Sequence, residues 1–127
     1  MNNEIIKNNL SELSTQNEFQ FPLDFIEKAC VFPTAKNKKF SINGVVKKTV
    51  VIKYLCNCEK EGKESIYVCN AINFKILEKH YIAIGICEKG QILCYVKKTK
   101  KIVLYNPRTA CYEYVADNIG NLLSSLY

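Results

Sequence analysis

Tyr81-Ile82-Ala83-Ile84-Gly85-Ile86-Cys87, Gln91-Ile92-Leu93-Cys94-Tyr95-Val96 and Lys101-Ile102-Val103-Leu104-Tyr105 follow one another closely, with a shorter run at Cys111-Tyr112-Glu113-Tyr114-Val115. Each run is rich in β-branched or aromatic residues and too short for a helix. Between them stand Glu88-Lys89-Gly90, Lys97-Lys98-Thr99-Lys100 and Asn106-Pro107-Arg108-Thr109, which are turn compositions. The pattern predicts an antiparallel meander. Val115-Ala116-Asp117 then leads into Ile119, Leu122, Leu123 and Leu126, spaced i, i+3, i+4, i+7 as one helical face, with Asp117 as the expected N-cap.

Working back towards the N-terminus, Ile6, Leu10 and Leu13 recur at helical spacing, with Asn2 or Asn3 as N-cap and Glu4 in the first turn. A polar break is expected at Thr15-Gln16-Asn17-Glu18. A second helix is expected from Phe21-Pro22-Leu23-Asp24, with Pro22 at its first position and Phe25, Ile26, Ala29 and Cys30 as its buried face. Pro33 is expected to stop it. The period then changes from 3.6 to 2. Lys39-Phe40-Ser41-Ile42-Asn43-Gly44 reads as a short strand entering a turn, and Lys48 to Leu55 as a clear strand. Ser65-Ile66-Tyr67-Val68-Cys69 reads as its hairpin partner across the charged loop Asn57 to Lys63. Asn70 to Glu78 fits a short helix or turn crossing one face. The whole is α+β: one antiparallel curved sheet of five or six strands, two N-terminal helices and one C-terminal helix. Its expected core includes Phe25, Ile26, Val51, Leu93, Leu104, Ile119, Leu122 and Leu123.

At 127 residues the chain is expected to form one domain able to bury most of its apolar surface without staples. No internal repeat and no Gly/Ser/Pro linker divides it. The first residues lack a basic region followed by an apolar run, and no stretch approaches the ~18 apolar residues of a membrane span. A cytoplasmic location and no membrane association are therefore expected. In that compartment the seven cysteines should be free thiols, and those inside apolar runs should act as small hydrophobes. Cys56-Asn57-Cys58, with Cys69 or His80, is the sharpest metal candidate. Its Cys-x-Cys spacing lacks the paired separation of structural zinc sites, so neither a metal nor any other cofactor is expected. A nucleophilic cysteine paired with His80 finds no support in the spacing either, and His80 reads as an exposed loop residue.

The chain resembles the SUKH superfamily, the fold that includes the fungal cell-wall-synthesis regulator and many bacterial immunity proteins. Phe21-Pro22-Leu23-Asp24-Phe25-Ile26 is similar to that family's helix opening with apolar-Pro, an acidic residue and an aromatic. Tyr81-Ile82-Ala83-Ile84-Gly85, followed by Gly90-Gln91-Ile92-Leu93-Cys94-Tyr95, resembles its paired strands. Lys101-Ile102-Val103-Leu104-Tyr105, leading to Tyr114-Val115-Ala116-Asp117-Asn118-Ile119 with Leu122, Leu123 and Leu126, resembles its closing strand and helix. Order and spacing agree from about Phe21 to the end. The resemblance implies a non-enzymatic immunity protein that covers the active site of a cognate toxin from a polymorphic or contact-dependent system.

The net charge of +6 bears on the partner. A basic inhibitor suits a toxin that is acidic or neutral at its site, or presents an acidic patch of its own. The expected toxin-binding residues are Glu59, Glu61 and Glu64 around one loop, and Lys97, Lys98, Lys100 and Lys101 on one turn. The alternative is a basic nucleic-acid-binding or cell-wall-regulatory interaction module, using those lysines with Lys36, Lys38 and Lys39 near Phe40 and with Lys47-Lys48. Arg108 is the single arginine, so sequence-specific nucleic-acid recognition is not expected.

Overall fold

The computed structural model describes residues 2–44, 46–77 and 79–127. The element order is α1 (Asn3–Asn17), α2 (Leu23–Lys28), a 3₁₀ segment (Ala29–Ala35), β1 (Lys39–Asn43), β2 (Lys47–Leu55), α3 (Ile66–Ile72), α4 (Phe74–Leu77), β3 (Tyr81–Cys87), β4 (Ile92–Val96), β5 (Ile102–Asn106), β6 (Cys111–Ala116) and α5 (Ile119–Ser124). The strands form a six-stranded antiparallel sheet in sequence order. The expected α+β class and meander are present; the short helix or turn expected from Asn70 corresponds to the end of α3 and to α4, and Glu78 lies outside the described residues.

Strand register sorts the side chains onto two faces, because directly opposed residues point the same way. One face carries Leu93, Tyr95, Ile102 and Leu104. Phe19, Phe25 and Tyr95 meet there, with ring centroids 5.5 Å apart for Phe19–Tyr95 and 5.8 Å for Phe25–Tyr95. Phe21 and Phe32 each stand 5.0 Å from Phe25, extending the aromatic cluster under α2 and the 3₁₀ segment. Ile119 and Leu122 of α5 are fully buried, and α5 packs on α2 and β6. The opposite face carries Tyr81, Cys94, Val103, Tyr105, Tyr112 and Tyr114. The sheet curls until β1 approaches β6, and Lys48 of β2 bonds the Glu113 carboxylate across the gap.

Gly85 makes the curvature possible. A Cβ there would stand 2.9 Å from Leu55 Cδ2 and 3.0 Å from the Tyr54 carbonyl oxygen, closer than packed atoms tolerate. The ladders on both sides of β3 shift register beside it, between Ile52 and Tyr54 and between Ala83 and Gly85. Where β2 leaves β3, α3 takes its place. The Ala83 N–H donates to Asn70 Oδ1 at 2.8 Å, and Asn70 Nδ2 donates to the Ala83 carbonyl at 3.0 Å, so an amide side chain replaces one residue of a strand. From the same helix, the Tyr67 hydroxyl donates to the Asn9 carbonyl and accepts from the Leu13 N–H at 3.1 Å, tying α1 to α3.

Several expectations are corrected. Ser65–Cys69 is not a strand: Ser65 caps α3, its Oγ accepting from the Tyr67 and Val68 N–H groups, and the hairpin partner of β2 is β1. Cys69 is accordingly helical. Pro33 does not end the second helical stretch, because a 3₁₀ segment lacks the i→i−4 bond that proline would remove, and it runs to Ala35. Pro22 occupies the N-cap rather than the first helical position. Cys30 is exposed, and Val51 is only half-buried because its neighbours Val50 and Ile52 point into the core. α1 continues through the expected break to Asn17. Asn118, not Asp117, caps α5, its Oδ1 accepting from the Asn121 N–H at 2.8 Å, while Asp117 accepts from the Tyr114 hydroxyl at 2.7 Å. Leu123 packs against the core from a half-buried position.

Leu122→Ala should cost about 2–5 kcal/mol in urea unfolding, the range for a buried leucine leaving a cavity. Asn70→Ala should cost about 1–3 kcal/mol for each backbone group of Ala83 left unpaired, and hydrogen exchange should rise first at Ala83 rather than at the α2–α5 contact.

Candidate functional site

The sequence-expected acidic residues lie on the β2–α3 loop. Glu64 pairs with Lys36 at 2.7 Å, and both Glu59 and Glu64 line a cavity of about 480 Å³ beside Ile6, Cys30 and Cys58. Glu61 is exposed. The expected lysines lie on the β4–β5 turn, where Lys100 takes a positive φ of 60°. Lys97 Nζ donates to Asn17 Oδ1 at 3.2 Å, Lys100 Nζ stands 5.8 Å from the Phe19 ring centroid, and Lys101 Nζ lies 4.0 Å from the Asp117 carboxylate and 5.9 Å from the Tyr114 ring. Lys98 is exposed. The two groups do not form one site. Glu59 and Glu64 line the cavity beside Ile6, whereas Lys97 and Lys98 line the clefts beside Asn17.

Of the remaining basic residues, Lys39 and Lys47 lie near the exposed Tyr127 ring. Lys36 is paired with Glu64, Lys48 with Glu113, and Phe40 is buried, so no base could stack on it.

Three clefts of about 390, 480 and 670 Å³ share residues and run along the C-terminal end of α1, between α3–α4 and the start of β3. Asn17 lines all three. Phe74 is 69% exposed on one wall, with Ile72 beside it at 75%. On the other wall the Tyr81 ring stands 5.4 Å from Tyr105, 5.9 Å from Tyr112 and 6.3 Å from His80. Tyr112 and Tyr114 are 59% and 54% exposed. Lys75, Lys79, Lys97 and Lys98 rim the clefts and form no ion pair among the described residues. Burial pushes the Lys97 ammonium below its usual range, against the pull of nearby Glu18. Burial likewise raises the Tyr81 hydroxyl, with neighbouring Tyr112 adding to it.

Sequence reasoning placed Lys97 and Lys98 but missed Phe74, Tyr81, Tyr105 and Tyr112. The signal available was Tyr112 and Tyr114 at i, i+2 around the polar Glu113, an outward stripe once β6 is assigned.

The thiols are all free, and Cys30 and Cys111 are the two exposed ones. Cys56 and Cys69 are within hydrogen-bonding reach of each other, which raises the first and lowers the second. Burial pushes Cys58 and Cys87 up to about 12 and Cys94 well up. Among the described residues no three His, Cys, Asp or Glu side chains are placed to hold a metal ion. His80 is exposed, as expected, at the rim of the tyrosine wall. No helix among the described residues is long and apolar enough to cross a membrane.

At pH 8 a thiol-reactive disulfide dye should modify two of the seven cysteines rapidly, Cys30 and Cys111, and the other five only after unfolding. Three or more fast thiols would contradict this burial pattern. No family model, no curated protein and no solved structure matches this chain.

Proposed function

We propose that this protein is a cytoplasmic immunity protein of the SUKH kind, which binds one cognate toxin of a polymorphic or contact-dependent system and blocks it without catalysis. The resemblance supports this reading, and its three stretches fall on α2, on the β3–β4 hairpin, and on the segment from β5 through α5. The observation that carries it is the sheet face opposite the Phe19–Phe25–Tyr95 cluster. Tyr81, Tyr105, Tyr112 and Tyr114 lie on it, with Tyr112 and Tyr114 more than half exposed. Tyrosine gives large contact area for little conformational entropy and is enriched at protein interfaces. These rings are held by regular strands, so they are pre-organised for a partner.

One observation favours the alternative, a nucleic-acid-binding module: the exposed tyrosines stand beside unpaired lysines, a combination that can stack bases and hold phosphates. Lysines on a hairpin turn also keep sheet edges apart and proteins soluble, which requires no ligand.

Co-expression separates the two. The neighbouring gene should encode a large secreted protein with a variable C-terminal domain, and this chain should rescue cells from that domain and co-purify with it. Tyr112→Ala should weaken the complex about tenfold or more, the loss expected of an interface aromatic, while leaving the melting temperature near that of the wild type. Failure to rescue, together with salt-sensitive binding to random RNA near micromolar strength, would favour the nucleic-acid reading. Turnover of any small substrate would sink both.

A further inference from the structure

The clefts beside α1 combine apolar walls with lysines at their rim. Phe74 projects from one side, Tyr81 and Tyr112 from the other, and Lys75, Lys79, Lys97 and Lys98 stand around the opening. Glu18 is the sole carboxylate lining them among the described residues. Lys75, Lys79, Lys97 and Lys98 belong to none of the ion pairs among the described residues, which are Lys36–Glu64, Lys48–Glu113, Lys60–Glu12 and Lys101–Asp117. Four lysines thus converge on one apolar groove.

From this we infer that the groove is the primary docking site for the partner, and that it receives an acidic protein segment whose apolar side chain packs between Phe74 and the tyrosine wall while its carboxylates meet Lys79, Lys97 and Lys98. The inference rests on the binding role proposed above and adds the chemistry of what is bound. Three arguments select this occupant. Complementary charge is the first: four cations around one opening attract carboxylates and speed encounter. The second is Lys97, whose partly buried ammonium has the neutral Asn17 amide oxygen, at 3.2 Å, as its hydrogen-bond partner among the described residues, so that a carboxylate would restore a charged partner. The third is shape. The three clefts share Asn17 and overlap pairwise at Phe74, Tyr81 and Lys97, so together they offer a segment more room than a small molecule needs. A nucleic acid would also seek the lysines, but no arginine lines the groove among the described residues, and Phe74 is the one ring on its helical wall besides Tyr67.

The test uses the whole chain, isotope-labelled, with three probes of equal length: a peptide of alternating glutamate with leucine and phenylalanine, the same peptide with lysine for glutamate, and single-stranded oligouridine. The acidic peptide should shift amide resonances at Asn17, Phe74, Tyr81 and Lys98, and bind at least tenfold more tightly than the lysine peptide. Phe74→Ala and the pair Lys79→Glu with Lys98→Glu should each weaken it about tenfold or more. Lys89→Glu, on the β3–β4 turn at the other end of these strands, should not. All four positions are exposed, so circular dichroism melting should be unchanged and loss of fold is not a confounder. Equal binding of both peptides, shifts confined to another face, or tighter binding of oligouridine at these same residues would each overturn the inference. Its failure is distinguishable from failure of the immunity role: groove variants that still rescue at full strength remove the groove and keep the role. Peptide binding in the groove without rescue removes the role and keeps the groove.

Discussion

Asn70 completes a β-ladder with its side chain, and the arrangement of everything outside the aromatic core follows from that substitution. β2 pairs with β3 from Ile52 to Leu55 and then departs, leaving the Ala83 N–H and carbonyl with no strand beside them. An unpaired pair of backbone groups at that depth would cost several kcal/mol. The Asn70 amide supplies one donor and one acceptor in the spacing that a peptide group would, and so fixes α3 against the edge of β3. α3 in turn holds α1, because the Tyr67 hydroxyl bonds two backbone groups of that helix. The groove is the space left between these fixed parts. Its walls therefore belong to the folded scaffold and need no partner to form them.

The same contact explains what could and could not be read from the residues. β3 to β6 were legible because each run alternates or is apolar throughout and is bounded by polar turns, so local pattern and final structure agree. Ser65–Cys69 misled for the opposite reason. Ile66, Tyr67 and Val68 all favour strands, and nothing within five residues reveals that Ile66 and Cys69, three apart, will be buried together. The helix is secured by tertiary pairing of Asn70 and by the Ser65 cap, whose serine looked equally like a turn residue. At the C-terminus Asp117 and Asn118 are both good caps; the choice fell to Asn118 because Tyr114 engages Asp117. Among the site residues, Lys97 and Lys98 stood out as a charge run. Tyr81, Tyr105 and Tyr112 did not, since their meeting depends on register across three hairpins, and register is set by turns and bulges such as that beside Gly85.

The buried cysteines show the chain using sulfur as filler. Cys94 lies between strands buried on both faces, and Cys56, Cys69 and Cys87 occupy neighbouring gaps. In water a thiol titrates near 8–9, whereas burial favours the neutral form of Cys87 and Cys94, so these two behave as small hydrophobes at physiological pH. The core makes one polar concession. The Tyr95 hydroxyl lies buried without a hydrogen-bond partner among the described residues, and both burial and nearby Asp24 raise its pKa. Its ring sits at the junction of Phe19 and Phe25, where the packing of a large aromatic offsets the desolvated oxygen.

Lys97 is a different kind of concession, because it lies at the groove rather than in the core. Folding half-buries its ammonium and gives it a neutral oxygen as its hydrogen-bond partner, with Glu18 acting only at longer range. The sign of the linkage follows: a lysine pKa lowered by folding means the charged form is bound less well by the native state, so this group opposes stability at neutral pH. The penalty disappears only as pH rises through the unfolded value and the lysine is neutral in both states. A carboxylate brought into the groove would reverse it by favouring the charged form. Part of the binding free energy would then come from relieving a strain that the folded protein already carries, and the groove residue least favourable to the isolated chain would be the one most improved by its partner. Stability and recognition thus draw on separate side chains: the Phe25–Tyr95 cluster and Asn70 hold the fold, while Phe74, Lys97 and the outward tyrosines remain free to change with the partner.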